Sequence, residues 1–176
     1  MRIDTFYKTE SEISYTNRIF QEIYFQKSIS KQEISKLLQL SLPTVGQSLK
    51  ELYTLGIIQK NGYFESTGGR KAEVISVASK AKVAIGVSLL REFITITALD
   101  LYGQPIKEKI CYISFERSDA YYRAFGKAVN QFIDELKYPD NAILGIGLAV
   151  QGLVSQDGQT IISGDLLGYT GAVRSA

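Results

Sequence analysis

From residue 30 the chain reads Ser30-Lys31-Gln32-Glu33-Ile34-Ser35-Lys36-Leu37-Leu38-Gln39-Leu40-Ser41-Leu42-Pro43-Thr44-Val45-Gly46-Gln47-Ser48-Leu49-Lys50-Glu51-Leu52-Tyr53-Thr54-Leu55-Gly56. Ser30 and Glu33 have the spacing of a capping box: the serine oxygen takes a free N–H of the first turn and the carboxylate reaches back to the cap. They open a short helix with Ile34, Leu37 and Leu38 inward. Gln39-Leu40 makes the turn. Ser41 is then an N-cap, with Leu42 and Pro43 in the first turn, where the missing proline N–H costs nothing. The second helix runs through Leu55. Val45, Leu49 and Leu52 face a core with Tyr53 beside them, and Gly56 is the C-terminal stop. Two short helices across a tight turn form a helix-turn-helix layout. The outer face of the second shows Thr44, Gln47, Ser48, Lys50 and Glu51. Hydroxyls, an amide and an ammonium are the groups that contact phosphates and base edges. A helical hairpin with a solvated face would carry the same pattern.

Upstream, Ile19, Phe20, Ile23 and Tyr24 make one apolar face of a helix over residues 16–26. Downstream, Ile57–Lys60, Asn61-Gly62 and Tyr63–Ser66 read as a strand and the start of a hairpin. Thr67-Gly68-Gly69-Arg70-Lys71 is a glycine-permitted tip with two cations, and Glu73–Val77 returns as a strand. A β-ribbon with a basic tip directly after such a helix pair is a wing. Its glycines permit close approach to a backbone or a minor groove. Taken alone, the tip is also compatible with an ordinary surface turn.

The composition fits this reading. The 176 residues hold 20 Lys+Arg against 18 Asp+Glu, with 45% apolar residues. Residues 1–82 hold 12 basic and 8 acidic residues, whereas 83–176 hold 8 and 10. The basic half is the one to match with a polyanion. One Cys and no His exclude an internal disulfide, a Cys-based zinc site, His triads and His switches. No apolar run is long enough to span a bilayer, and the N-terminus lacks a signal-peptide layout, so a cytoplasmic protein without a membrane is expected.

Texture changes near residue 80. Ala78–Lys82 is small and polar, and dense β-rich runs follow. The second half reads strand (83–90), strand (93–100), strand (104–115), helix (119–137) and strand (143–150). The helix, capped by Ser118, shows Tyr122, Phe125, Val129, Phe132, Ile133 and Leu136 on one face. The last strand reads as buried, and Gln151–Gly158 leads into a hairpin. Cys111 reads as a buried small hydrophobe.

Pro43–Ile58 followed by Ser66–Lys71 resembles the N-terminal DNA-binding domain of the ROK family, which comprises repressors, open reading frames and sugar kinases. The Ser-Thr-Gly-Gly-Arg wing is the more specific element. The βββαβ order resembles the N-terminal lobe of the family's actin-like fold. Gly145-Ile146-Gly147 through Gly152-Leu153-Val154 is similar to a family stretch, as is Asp165–Tyr169 more faintly. Three positions depart from the family pattern. Ala72 replaces a proline after the basic pair, and Gln151 replaces another. Ser88-Leu89-Leu90-Arg91 replaces the Asp-x-Gly phosphate loop of the kinases, and with it the backbone geometry that cradles ATP. Gly46 is also unusual mid-helix, where it costs about 1 kcal/mol of propensity. Either close approach to DNA accounts for it, or it is simply tolerated.

The resemblance therefore implies an α/β protein. A winged helix-turn-helix would span 1–78, a linker 79–82, and a partial actin-like lobe 83–176 whose C-terminal part is absent. It implies a regulator of carbohydrate-related genes, a repressor, and no enzyme, catalytic residue, cofactor or metal. Double-stranded DNA is the expected partner, bound by a homodimer through Ser41, Thr44, Gln47, Ser48, Lys50, Arg70 and Lys71, with a sugar or phosphosugar as a possible effector. The competing readings are a sugar-kinase fragment and a winged-helix protein-interaction module.

Overall fold

The structure is a computed structural model that describes residues 14–65, 71–156, 160–164 and 169–174. The chain divides into two compact units, Met1–Ala81 and Lys82–Ala176. Residues 79–81, expected as linker, form a single 3-10 turn at the end of the first unit.

The first unit contains α1 (Tyr15–Gln26), α2 (Lys31–Leu38) and α3 (Leu42–Thr54), then the antiparallel pair β1 (Ile58–Tyr63) and β2 (Glu73–Val77). Each helix starts on a serine whose hydroxyl accepts a first-turn N–H: Ser14 from Asn17, Ser30 from Glu33, Ser41 from Thr44. Gln39, in the left-handed region at φ 53°, turns the chain from α2 toward α3. Ile19, Ile23, Ile34 and Val45 are fully buried, and Leu49, Leu52, Ile58 and Ile75 complete the core. Asn61-Gly62 lies inside β1 as a bulge, where the register with β2 breaks between Lys60 and Tyr63 and Gly62 takes φ +79°. Of the basic tip expected at Thr67–Lys71, all but Lys71 lies outside the described residues.

The capping box of α2 is complete. The Ser30 N–H donates to Glu33 Oε2 at 2.8 Å, and the Glu33 N–H donates to Ser30 Oγ at 3.2 Å. The Ser30 hydroxyl, and after it the Ser30 N–H, hold the Glu33 carboxyl below its ordinary value. A folded pKa below the unfolded one means that this contribution is present above the ordinary carboxylate range. It is lost as pH falls through the lowered value. Ser30→Ala should destabilise the unit by about 1 kcal/mol and return the Glu33 pKa upward, as read by an NMR pH titration of its side chain.

The second unit builds a four-stranded sheet in the order β5-β4-β3-β6 from β3 (Val83–Leu89), β4 (Ile94–Leu99), β5 (Pro105–Cys111) and β6 (Ile143–Val150). The first three pair antiparallel, and β6 joins β3 in parallel after the crossover helix α4 (Asp119–Leu136). A separate sheet holds β7 (Leu153–Val154), β8 (Thr160–Gly164) and β9 (Tyr169–Arg174). Strict alternation in β3 and β4 sends Val83, Ile85, Val87, Leu89, Ile94, Ile96 and Ala98 into one cluster with Tyr121, Val129 and Phe132 of α4. Asp100 closes the β4–β5 turn by accepting the Tyr102 and Gln104 N–H groups, with Gly103 at φ +73°. Lys107 and Lys109 of β5 both donate to Glu135 of α4 at 2.7 Å. Lys107 first and Lys109 second hold that carboxyl down to about 2. The pairs are exposed, so solvent screens them.

Three expectations change here. Tyr121, at 5% exposure, packs inward in place of Tyr122, at 55%. The Ser118 cap and the positions of Phe125, Ala128 and Phe132 set that phase. The β6 strand is not buried: Leu144, Ile146 and Leu148 are exposed. It pairs with β3 on one side only among the described residues, and the helix packs over β3 and β4. Cys111 is half-buried rather than buried.

Candidate nucleic-acid interface

The face of α3 turned away from the core is built by helical phase. Val45, Leu49 and Leu52 anchor the inner side, so Thr44, Gln47, Lys50 and Glu51 fall on the outer one. Ser41 is exposed at the cap. Its oxygen accepts the Thr44 N–H at 3.2 Å and lies 2.8 Å from Thr44 Oγ1, which orients both hydroxyls at the start of the helix. Gln47 and Lys50 are exposed. Among the described residues Gln47 makes a single long contact, 3.4 Å from its Nε2 to Glu51 Oε1, so its amide is otherwise unengaged there.

Ser48, expected among the contact residues, points the other way. It is 5% exposed, and its Oγ lies 3.2 Å from the Thr16 hydroxyl of α1. That hydroxyl donates to Glu51 Oε2 at 2.8 Å. Ser48 therefore sits at the α1–α3 seam, and Glu51 ties the two helices together beside the outer face of α3.

Lys71 is exposed at the start of the returning strand, while Arg70 lies outside the described residues. Beneath Lys71 runs an open groove of about 540 Å³ between α2, α3 and the ribbon, lined in part by Lys31, Tyr53, Lys60, Tyr63 and Lys71. Lys60 pairs with Glu73 at 2.9 Å. Lys31 was not among the expected contact residues, because the sequence shows it only as the first residue of a capped helix. The packing of α2 against α3 carries its ammonium to Gly46, where a Cβ would come within 2.6 Å of Lys31 Nζ.

In the second unit, a shallow groove of about 410 Å³ lies by the β3–β4 turn, lined by residues that include Ser88, Leu90, Thr97, Glu108 and Gln151. The turn is closed by the Leu90 N–H donating to the Phe93 carbonyl at 3.1 Å. The charged residue in this lining is a carboxylate, and no cation lines it among the described residues. No helix among the described residues is long and apolar enough to cross a membrane.

No protein-family model matches the chain. It is 27% identical over 145 residues to the xylose repressor of Caldicellulosiruptor bescii, covering 82% of this chain and 36% of that protein. It is 30% identical over 129 residues to the DNA-binding transcriptional dual regulator NagC of Escherichia coli K12, covering 73% of this chain and 32% of that protein. The chain thus spans about a third of the length of these relatives. The fold matches the crystal structure of a transcriptional regulator described as a homologue of the E. coli MLC protein, with a TM-score of 0.63 and 17% identity. That match covers 89% of this chain and 40% of the other.

Proposed function

We propose that this chain, a ROK-family protein by its sequence and fold, is a sequence-specific DNA-binding repressor of carbohydrate-related genes. The observation that carries the reading is the outer face of α3, where Gln47 and Lys50 are exposed and Thr44 is half-buried beside them on a helix capped by Ser41. In this reading the first unit is a winged helix. Its α3 enters the major groove, and Lys71 and Arg70 on the wing meet the backbone or the minor groove. The second unit is part of an actin-like lobe. It serves regulation rather than sugar phosphorylation, because the turn at Ser88–Arg91 is closed and the groove beside it carries a carboxylate where ATP phosphates would need cations and free N–H groups. A homodimer in the cytoplasm, on a pseudo-palindromic site and answering to a sugar or phosphosugar, completes the proposal.

Fluorescence anisotropy of a random-sequence duplex at low and high salt, followed by sequencing of the retained fragments, tests it. Binding should fall steeply with salt, because each neutralised phosphate releases condensed counterions, and the retained fragments should be enriched in an inverted repeat. A chain that is folded by circular dichroism yet binds no duplex at low salt overturns the reading.

A further inference from the structure

We propose that Lys31 is a DNA-backbone contact, and that Gly46 is the gap on α3 in which its ammonium is seated beside the cationic groove between α2, α3 and the ribbon. The inference rests on the DNA-binding reading and assigns it a second, sequence-independent anchor. A glycine in mid-helix has no local reason: Gly46 is not at a turn, and its helical φ needs no glycine. Its use lies across the helix pair. Lys31 Nζ lies 2.6 Å and Cε 3.4 Å from where the Cβ of any other residue would stand. The end of the half-buried Lys31 side chain thus rests over the missing side chain of α3, and among the described residues its ammonium forms no ion pair. The groove it joins also carries Lys71 and Lys60. At its floor the Tyr53 hydroxyl is buried without a hydrogen-bond partner among the described residues. Among the described residues the carboxylate that lines the groove is Glu73, already engaged by Lys60. A cationic rim between the capped helix and the ribbon is the chemistry that holds a phosphodiester oxyanion, and its position beside Lys50 continues the contact face.

The test compares the full chain with Lys31→Ala, Gly46→Ala and the double variant, titrating a random-sequence duplex and the selected duplex over a range of KCl concentrations. Lys31→Ala should weaken binding on both duplexes and make the log–log salt slope shallower by about 0.9 for each bound subunit. Gly46→Ala should raise the melting temperature, since alanine is the better helix former, yet make the salt slope shallower by no more than Lys31→Ala does, because a methyl there shifts only the flexible end of Lys31. In the Lys31→Ala background it should cost nothing more. An unchanged slope in Lys31→Ala, with the parent still binding DNA, overturns this inference alone. A further loss on adding Gly46→Ala to Lys31→Ala assigns the glycine to close backbone approach and overturns its role as a gap. A parent that binds no duplex removes both this inference and the reading beneath it. Inorganic phosphate at fixed ionic strength, followed by NMR, separates the sources: saturable shifts at Lys31 in a protein whose duplex affinity ignores Lys31→Ala assign the groove to a free anion instead.

Discussion

Truncating Phe132 to alanine is expected to lower the stability of the second unit by about 3–5 kcal/mol, the usual cost of removing a buried aromatic ring. Phe132 is fully buried on the inner face of α4, at the centre of the cluster that joins the helix to β3 and β4. Small domains hold only about 5–15 kcal/mol in all, so the variant unit should be near its unfolding threshold at ambient temperature. Urea denaturation followed by circular dichroism measures the loss. Among the described residues the cluster around Phe132 is built from the second unit, so the amide NMR signals of α1–α3 should persist in urea that unfolds the variant lobe. Simultaneous loss of both sets of signals would show that the two units unfold as one.

Gln47→Ala is expected to weaken base discrimination while leaving the fold intact. A good side-chain contact to a base edge is worth about 1–3 kcal/mol of discrimination, which is about a 5- to 150-fold fall in the ratio of operator to random-duplex affinity. Gln47 is exposed, and among the described residues its one side-chain contact is the long one with Glu51, so its removal opens no cavity and strands no buried partner. Lys50→Ala provides the contrast. Loss of a phosphate contact should weaken all duplexes alike and leave the ratio unchanged. Anisotropy titrations of both variants on both duplexes give the two ratios. A Gln47→Ala ratio equal to that of the parent would remove Gln47 from the base-reading set.

The local code of this chain is unusually plain. The Ser30 capping box, the Ser41 cap followed by Pro43, the Gly56 stop and the two-residue alternation of Val83–Leu89 all act over four residues or fewer. At that range the backbone hydrogen bonds and helical period decide conformation. Those signals were sufficient for the helices of the first unit, the strands of the second, and an α3 face bearing Thr44, Gln47 and Lys50. Periodicity could not settle the edge of that face. Gln47 and Ser48 differ by one step of about 100° around the helix, and only the seating of α1, with Thr16 beside Ser48, turned the second of them inward. The same limit explains Tyr121 and Tyr122, neighbours on α4 that exchanged inner and outer positions.

What the sequence determined by itself was the type and order of elements, because caps, stops and periods are written within single turns. What only the tertiary structure decided was which faces meet. Strand β6 is apolar enough to read as buried, yet its exposure depends on neighbours far along the chain. Lys31 and Gly46 lie fifteen positions apart on different helices, and no spacing rule connects them. They meet because α2 packs across α3, where a missing Cβ leaves room for an ammonium.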